Sequence, residues 1–216
     1  MKKVTNPRLV TDNTRSVGES TNFDSPVEKI RQLELENQVL KEKVNQLEQI
    51  AYCDSLTGLS NRDLCIEQLN QFIKDQKLKN VSVVFLDLDN LKVINDLLGH
   101  SAGDMALCHF SNILAYHCPE EAFVARYGGD EFVVLLPEYD MPLAKEWCES
   151  LDNELATPMT MNAQEDPCVQ FSSGIYTFCH SKHTGRNTEI VATRVIELAD
   201  RAMYAAKRAK KRMKVL

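Results

Sequence analysis

The sequence has no apolar run long enough to cross a bilayer, and its first residues lack the apolar core of a secretory signal peptide. These absences disfavour a membrane protein and a secreted protein, so we expect the chain to stay in the cytoplasm. The seven cysteines are scattered, odd in number and form no C-x-x-C pair. That pattern is typical of reduced thiols that pack in a core, and it argues against a disulfide framework.

An excess of positive charge is also missing, because the formal net charge is −6. This value argues against general nucleic-acid binding, and we expect neither nucleic acid nor membrane as a partner. The basic residues are nevertheless uneven, since seven of them and no acidic residue lie between Arg201 and Lys214. Such a segment either complements the dipole at a helix end or binds phosphate.

Two different segments precede the C-terminal part of the chain. Residues 1–25 are rich in Ser, Thr, Asn and Asp, and we predict a disordered tail there. Residues 26–53 carry apolar side chains at alternating steps of three and four, which predicts a coiled-coil dimerisation helix. We call the a and d positions of this heptad the seam: Ile30, Leu33, Asn37, Leu40, Val44, Leu47 and Ala51.

The charges flanking the seam favour a parallel homodimer. With Ile30 at an a position, the three g-to-next-e pairs are opposite in sign: Lys29 with Glu34, Glu36 with Lys41, and Lys43 with Glu48. Asn37 at an a position favours two strands in register at some cost in stability. The alternative is a single amphipathic helix that lies on the globular domain. Roughly three heptads are short for a self-sufficient coiled coil.

The pattern of residues 54–216 predicts one domain of the α/β class (more narrowly, α+β). Helices are expected near residues 62–77, 103–117, 143–155 and 190–210, and strands near 81–86, 122–127, 132–136 and 169–176. Strands and helices interleave around an antiparallel hairpin, as they do in ferredoxin-like sheets.

Two acidic residues, Asp87 and Asp89, end the apolar run that begins at Val81. Residues two apart in a strand share a face, so their carboxylates point the same way. Neighbouring carboxylates repel each other unless a cation lies between them, and Mg2+ takes oxygen ligands of this kind. The alternative is a polar loop in which one Asp caps a turn.

A second acidic pair, Asp130 and Glu131, follows Gly128 and Gly129 between two predicted strands. The glycines permit a tight turn and the close approach of a bulky ligand. If the hairpin tip lies beside Asp87, its carboxylates complete a site for a metal and phosphates. Taken alone, the four residues are also a common hairpin turn.

These signals occur together with others in an order that resembles the GGDEF family of diguanylate cyclases. The signature is intact at residues 128–132, and the resemblance covers residues 54–214. The other matching segments are Asp54–Arg62 (D-x-L-T-G-L-x-N-R), Asp87–Asp104 (D-L-D through K, N-D, G-H and G-D), Ser173–Ile175, and Ala199–Lys207 (A-D-x-A-M-Y-x-A-K).

The resemblance implies a fold related to adenylate cyclases and polymerase palms, and it implies two-metal condensation of two GTP molecules into cyclic di-GMP across a homodimer. Its implied cofactor is Mg2+, with Mn2+ as a substitute. The implied metal ligands are Asp87, the Leu88 carbonyl, Asp130 and Glu131, and Asp130 and Glu131 are also the implied catalytic residues, Glu131 as general base or second metal ligand. The implied substrate-binding residues are Asn95 and Asp104 for guanine, with Lys92, Arg126, Gly128, Gly129, Lys207 and Lys211 around the phosphates.

The sequence departs from the family pattern at three places. Leu91 stands where Phe is common, and Lys210-Lys211-Arg212 replaces the usual G-R-N. The family's R-x-x-D product-inhibition site would fall on Pro119–Ala122 and is not matched, so we expect no feedback there. The alternative function is a catalytically silent GGDEF domain that binds GTP as a regulatory module; a coiled-coil scaffold is a third. The sequence does not identify an upstream sensor or regulatory partner.

Overall fold

The computed structural model describes residues 25–156, 169–180 and 188–213. The predicted tail lies outside these residues except for Ser25. The elements in chain order are α1 (Pro26–Tyr52), α2 (Arg62–Lys74), β1 (Asn80–Leu88), α3 (Leu91–Leu98), α4 (His100–His117), β2 (Phe123–Arg126), β3 (Glu131–Pro137), α5 (Met141–Ala156), β4 (Phe171–Cys179) and α6 (Thr188–Met213).

Helix α1 is 27 residues long and buries none of its side chains within the single chain. The seam residues Leu33, Leu40 and Leu47 are 44%, 60% and 57% exposed. Most of the stability of a helix comes from packing of its apolar face, and in α1 that face is exposed within the single chain. In the part of the chain that the structure describes, no helix combines the length and the hydropathy that a membrane span needs.

The four strands form one antiparallel sheet in the order β2-β3-β1-β4. This is the ferredoxin-like arrangement that the alternation of predicted elements indicated. Strand β1 lies in the centre, and every one of its residues after Asn80 is buried. Its register places Asp87 opposite Glu131 of β3 and opposite Ser172 of β4. The end of the central strand is therefore where residues from three strands meet.

Each face of the sheet is covered by helices, which explains why β1 is apolar without alternation. Val84 and Leu86 pack on one face with residues of α4 and α5, including Phe110 and Trp147. Val83 and Phe85 pack on the opposite face with residues of α2 and α6, including Leu69, Ile196 and Ala199. Burial on both faces holds β1, and with it Asp87, in a fixed position.

Helix α6 approaches β4 very closely at Gly174. A Cβ atom at this position would overlap the backbone nitrogen of Met203 and the carbonyl oxygen of Ala199. The absence of a side chain lets the helix backbone lie against the strand. This contact fixes the distance from the sheet to the helix, whose last turn carries Lys210, Lys211 and Arg212.

The structure also corrects the predicted elements in two places. Helix α3 was not predicted; Asn90 adopts a left-handed backbone with φ of 63° and turns the chain from β1 directly into it, and Gly99, with φ of 87°, separates it from α4. Helix α2 ends at Lys74 rather than Lys77, because Asp75 leaves the helical conformation and its carboxylate accepts the Lys77 amide at 3.0 Å.

Candidate active site

The two acidic residues at the end of β1 have separate partners. The Lys207 ammonium donates to Oδ1 of Asp87. The Lys210 ammonium donates to Oδ2 of Asp89 at 2.8 Å, and the Ser172 hydroxyl donates to its Oδ1 at 2.8 Å. Asp87 thus has a lysine partner on Oδ1, whereas both carboxylate oxygens of Asp89 accept hydrogen bonds from the protein.

The pKa values of these carboxyls move in opposite directions. Burial is the largest influence on Asp87 and raises its pKa; the charges of Asp130 and Asp89 act in the same direction, and Lys207 offsets them only in part. Burial also acts to raise the pKa of Asp89, but the hydrogen bonds from Lys210 and Ser172 outweigh it and hold that pKa below its ordinary value. The negative charge of Asp89 is therefore well compensated by its hydrogen-bond donors, whereas the negative charge of Asp87 is compensated only in part.

The signature hairpin brings its acids to the same place. The backbone amide of Leu88 donates to the Asp130 carbonyl at 2.9 Å. In the register of β1 and β3, Asp87 lies directly opposite Glu131. Burial raises the pKa of Glu131, and the nearby charges of Asp130, Asp200 and Asp87 raise it further. Three carboxylates that lie within electrostatic range of one another are a cation-deficient cluster.

The two hairpin glycines are needed for different reasons. A Cβ atom on Gly128 would collide with Oε2 of Glu131, so Gly128 provides the space into which that carboxylate folds. Gly129 has no atom within 4 Å of the corresponding position, so its outer side is open. The turn closes through the amides of Tyr127 and Gly128, which donate to the Glu131 carbonyl at 2.8 and 3.2 Å. An open, side-chain-free backbone beside acids leaves room for a ligand.

Arg126 has different partners from those implied by the resemblance, which placed it near phosphate. Its guanidinium donates to Oδ1 of Asp54 at 2.9 Å and to the Gly129 carbonyl at 2.7 and 3.2 Å. Burial acts to raise the pKa of Asp54, but the hydrogen bonds from Arg126 and Thr57 hold it below its ordinary value. In this structure Arg126 braces the signature hairpin against the turn that follows α1.

The predicted guanine-binding residues lie on two neighbouring helices. Asn95 is half-buried on α3, and its side chain lies over Gly103 of α4, where a Cβ atom would overlap it. Asp104 follows Gly103 and is exposed, as is Lys92 in the first turn of α3. Asn95 is therefore adjacent to the first turn of α4, and Asp104 is exposed to solvent.

The basic helix end is the third part of the site. Lys207 is half-buried and contacts Asp87, whereas Lys211 and Arg212 are exposed. Of the predicted phosphate-binding residues, the structure brings Lys207 to the acids and leaves Lys211 in solvent one turn further along α6. The basic segment is thus more than a complement to the helix dipole, because the side chains of Lys207 and Lys210 reach residues at one end of the sheet.

The residues at the end of β1 and in the hairpin fit a hard divalent cation. Asp87, the Leu88 carbonyl, Asp130 and Glu131 offer oxygen donors, which Mg2+ and Mn2+ prefer. Burial is the main cause of the raised pKa values of Asp87 and Glu131, and the neighbouring negative charges add to it. Among the described residues no three acidic, His or Cys side chains are already grouped as a closed metal cluster. A site that shares its cation with a triphosphate needs fewer protein ligands.

Sequence analysis did not assign four residues that the structure places around these acids. Asp200 of α6 and Arg62 of α2 act electrostatically on Glu131. Ser172 and Lys210 hold Asp89. Arg62 and Asp200 lie within the motifs quoted above, which was a usable signal; nothing local to Ser172 or Lys210 indicates a contact with Asp89.

Comparison with known proteins is consistent with this geometry. The profile of the family described as "Diguanylate cyclase, GGDEF domain" matches residues 51–213, which is most of the chain. The chain belongs to the GGDEF family. Diguanylate cyclase DgcP of Pseudomonas aeruginosa is 32% identical over 185 residues, covering 85% of this chain and 26% of that protein. Cyclic di-GMP phosphodiesterase PdeR of Escherichia coli is 32% identical over 163 residues, covering 73% of this chain and 23% of that protein.

Solved GGDEF structures share the fold. The coiled coil and GGDEF domain of DgcB from Caulobacter crescentus, in complex with c-di-GMP, superposes with a TM-score of 0.71 at 23% identity, covering 84% of this chain and 94% of that one. The chain spans about a quarter of the length of the two curated relatives named above.

The crowded acids make a prediction about stability and pH. Replacing Glu131 with glutamine should raise the melting temperature near neutral pH, because it removes a carboxylate whose ionisation the folded state disfavours. The gain should be full above the raised folded-state pKa. It should shrink as pH falls through that folded-state pKa and disappear below the unfolded value of 4.5, where the proton is bound in both states. Thermal unfolding between about pH 3 and pH 8 measures it.

The matched control for this experiment is Glu146→Gln, which removes the same charge from an exposed position on α5. It should leave the melting temperature nearly unchanged across the pH range. Equal behaviour of the two variants would contradict the assignment of Glu131 to a repelling cluster.

Proposed function

We propose that the protein is a diguanylate cyclase that condenses two GTP molecules into cyclic di-GMP and two pyrophosphates. The observation that carries this proposal is the convergence of Asp87, Asp130 and Glu131 at one end of the sheet, beside Lys207 of α6. Family membership and the 32% identical relative named as a diguanylate cyclase support it.

We assign different residues of the site to the base and to the phosphates of one GTP. Asn95 and Asp104 are proposed to bind guanine. A carboxylate such as that of Asp104 accepts hydrogen bonds from the N1–H and 2-amino groups of guanine and would oppose the N1 acceptor of adenine. Lys207 and Lys211, with Lys92 and the open backbone at Gly129, are proposed for the phosphates. A bound Mg2+ or Mn2+ would neutralise the triphosphate and favour departure of pyrophosphate.

Glu131 is proposed either to accept the proton of the attacking 3′-hydroxyl as a general base or to act as a second metal ligand. Its raised pKa makes it a better base than an ordinary carboxylate. The 3′-oxygen then forms a bond to the α-phosphorus of the other GTP, and the bond from that phosphorus to the pyrophosphate oxygen breaks. Repeating the step on the second pair of reacting atoms closes the ring.

The reaction needs two sites facing each other, so we propose a homodimer held by a parallel coiled coil of α1. The exposed seam and the three complementary charge pairs support this arrangement. Holding two reactants in line lowers the entropic part of the barrier. We also propose that the chain lacks product inhibition through an R-x-x-D site, because Pro119 and Ala122 occupy the ends of that position.

A silent regulatory domain remains the second candidate. The relative PdeR is named as a phosphodiesterase, so membership of the family does not by itself require synthesis. The altered residues Leu91 and Lys211 also favour this candidate, since lysine lacks the bidentate geometry of arginine. The intact acids Asp87, Asp130 and Glu131 favour the enzyme.

The deciding experiment is incubation of the purified protein with GTP and Mg2+, followed by chromatographic separation of the nucleotides. The wild type should form cyclic di-GMP, and a variant with both Asp130→Ala and Glu131→Ala should form none. Bound GTP without product at high protein concentration would reject the cyclase and favour the silent module. Product from both proteins would place the active site elsewhere.

A further inference from the structure

Lys210 joins three elements at one point. Its ammonium contacts Oδ2 of Asp89 at 2.8 Å and the carbonyl of Phe171 at 3.1 Å. Asp89 follows β1, Phe171 begins β4, and Lys210 lies in the last turns of α6. The Ser172 hydroxyl completes the group by donating to the other oxygen of Asp89 at 2.8 Å.

The acceptor of this contact is itself rigidly held. The backbone amide of Asp89 donates to the Gln170 carbonyl at 2.7 Å, and its side chain is only 10% exposed. Both carboxylate oxygens have protein donors, so Asp89 is an anchor for Lys210 and not a free ligand. A charge-assisted hydrogen bond to a fixed, nearly buried carboxylate restrains a lysine more strongly than a surface ion pair does.

Lys207 lies one helical turn before Lys210 on the same face of α6, as residues three apart do. It contacts Asp87, the penultimate residue of β1, and Asp89 directly follows that strand. The two lysines therefore pair with the two aspartates side by side. The restraint on Lys210 sets the rotation and height of the helix turn from which Lys207 projects.

We propose that Lys210 is a positioning residue that acts through Asp89 to hold Lys207 and the end of α6 in place for a triphosphate. The proposal rests on the function proposed above, because the triphosphate is that of the GTP substrate. Lys210 does not itself touch the phosphates. It lowers the ordering cost of the phosphate contacts by fixing the helix end before the nucleotide binds.

The first measurement is hydrogen exchange in the nucleotide-free protein. Lys210→Met should increase amide exchange in residues 204–213, and Lys210→Arg should restore protection. The matched control is Arg208→Met, which removes the same charge from an exposed side chain on the same helix. Exchange in Lys210→Met equal to that in Arg208→Met would overturn the anchor.

The second measurement separates positioning from a purely structural effect. Lys210→Met should weaken binding of a non-hydrolysable GTP analogue with Mg2+, and raise KM for GTP, by about tenfold, the equivalent of one weakened charge-assisted hydrogen bond. The value of kcat should change less than about threefold, since the acids are untouched. Adding Asp89→Asn should cause little further loss, because both changes break the same contact.

Each outcome decides a different point. Altered exchange with unchanged analogue affinity and KM would reduce Lys210 to a structural role and overturn the proposal. A fully additive effect of Asp89→Asn would also overturn it. If the unaltered protein bound the analogue but made no product, the proposed cyclase would fail, and analogue binding would still test Lys210. If it bound no analogue, the cyclase and the positioning role would both be refuted.

Discussion

Asp87→Asn is expected to reduce the rate of cyclic di-GMP formation on the order of a thousandfold, the scale of several kcal/mol that a bound metal contributes to such a step. Asparagine keeps the size of the side chain but removes the charge that a divalent cation requires. It also removes the anionic partner of Lys207. The initial rate at saturating GTP and Mg2+ measures the effect.

The control is Asp152→Asn, which makes the same change on the exposed face of α5 and should retain the wild-type rate. Circular dichroism should show both variants folded. A folded Asp87→Asn variant with a rate within about tenfold of wild type would remove Asp87 from the catalytic assignment.

If the proposed coiled-coil dimer forms, Leu40→Glu is expected to convert it into a monomer and to reduce cyclase activity at low protein concentration by about a hundredfold. The substitution places a charge at the centre of a seam of only about three heptads, where removing one buried leucine contact costs about 2–5 kcal/mol per site. Activity should recover as protein concentration rises, because the sites themselves are intact. Analytical sedimentation measures the oligomeric state, and the reaction rate as a function of protein concentration measures the loss and recovery of activity.

Leu35→Glu is a close control for this experiment. Leu35 and Leu40 are 63% and 60% exposed in the single chain, and both changes introduce the same residue into α1. Only Leu40 lies in the seam; Leu35 occupies an f position on the opposite side. A parallel coiled coil predicts a large effect at Leu40 and a small one at Leu35. Equal effects would contradict the proposed register.

The central part of the site could be predicted because its signals are local. Residues two apart in a strand share a face, so Asp87 and Asp89 were correctly placed at one strand end. Two glycines before Asp130 and Glu131 correctly predicted a hairpin tip. The sheet order also agrees with the alternation of predicted strands and helices.

Long-range pairing could not be predicted from such signals. Lys210 and Asp89 are separated by 121 residues, and no periodicity connects them. The same holds for Arg126 and Asp54, which are 72 residues apart. The different environments of Asp87 and Asp89 likewise depend on which lysine each one meets. Pattern analysis identified the charged residues, but only the tertiary structure assigned their partners.

The central position of β1 has a consequence for folding, which we expect to be slow because its sheet partners are distant in sequence. Its neighbours in the sheet come from much later in the chain, since Val84 pairs with Val134 and with Ile175. During synthesis the apolar segment 81–86 leaves the ribosome long before either neighbouring strand exists. Non-local pairing of this kind slows folding and leaves intermediates with exposed apolar surface, which are prone to aggregate. Aggregation during expression should therefore increase with the time for which residues 81–86 stay exposed before β3 and β4 have been synthesised.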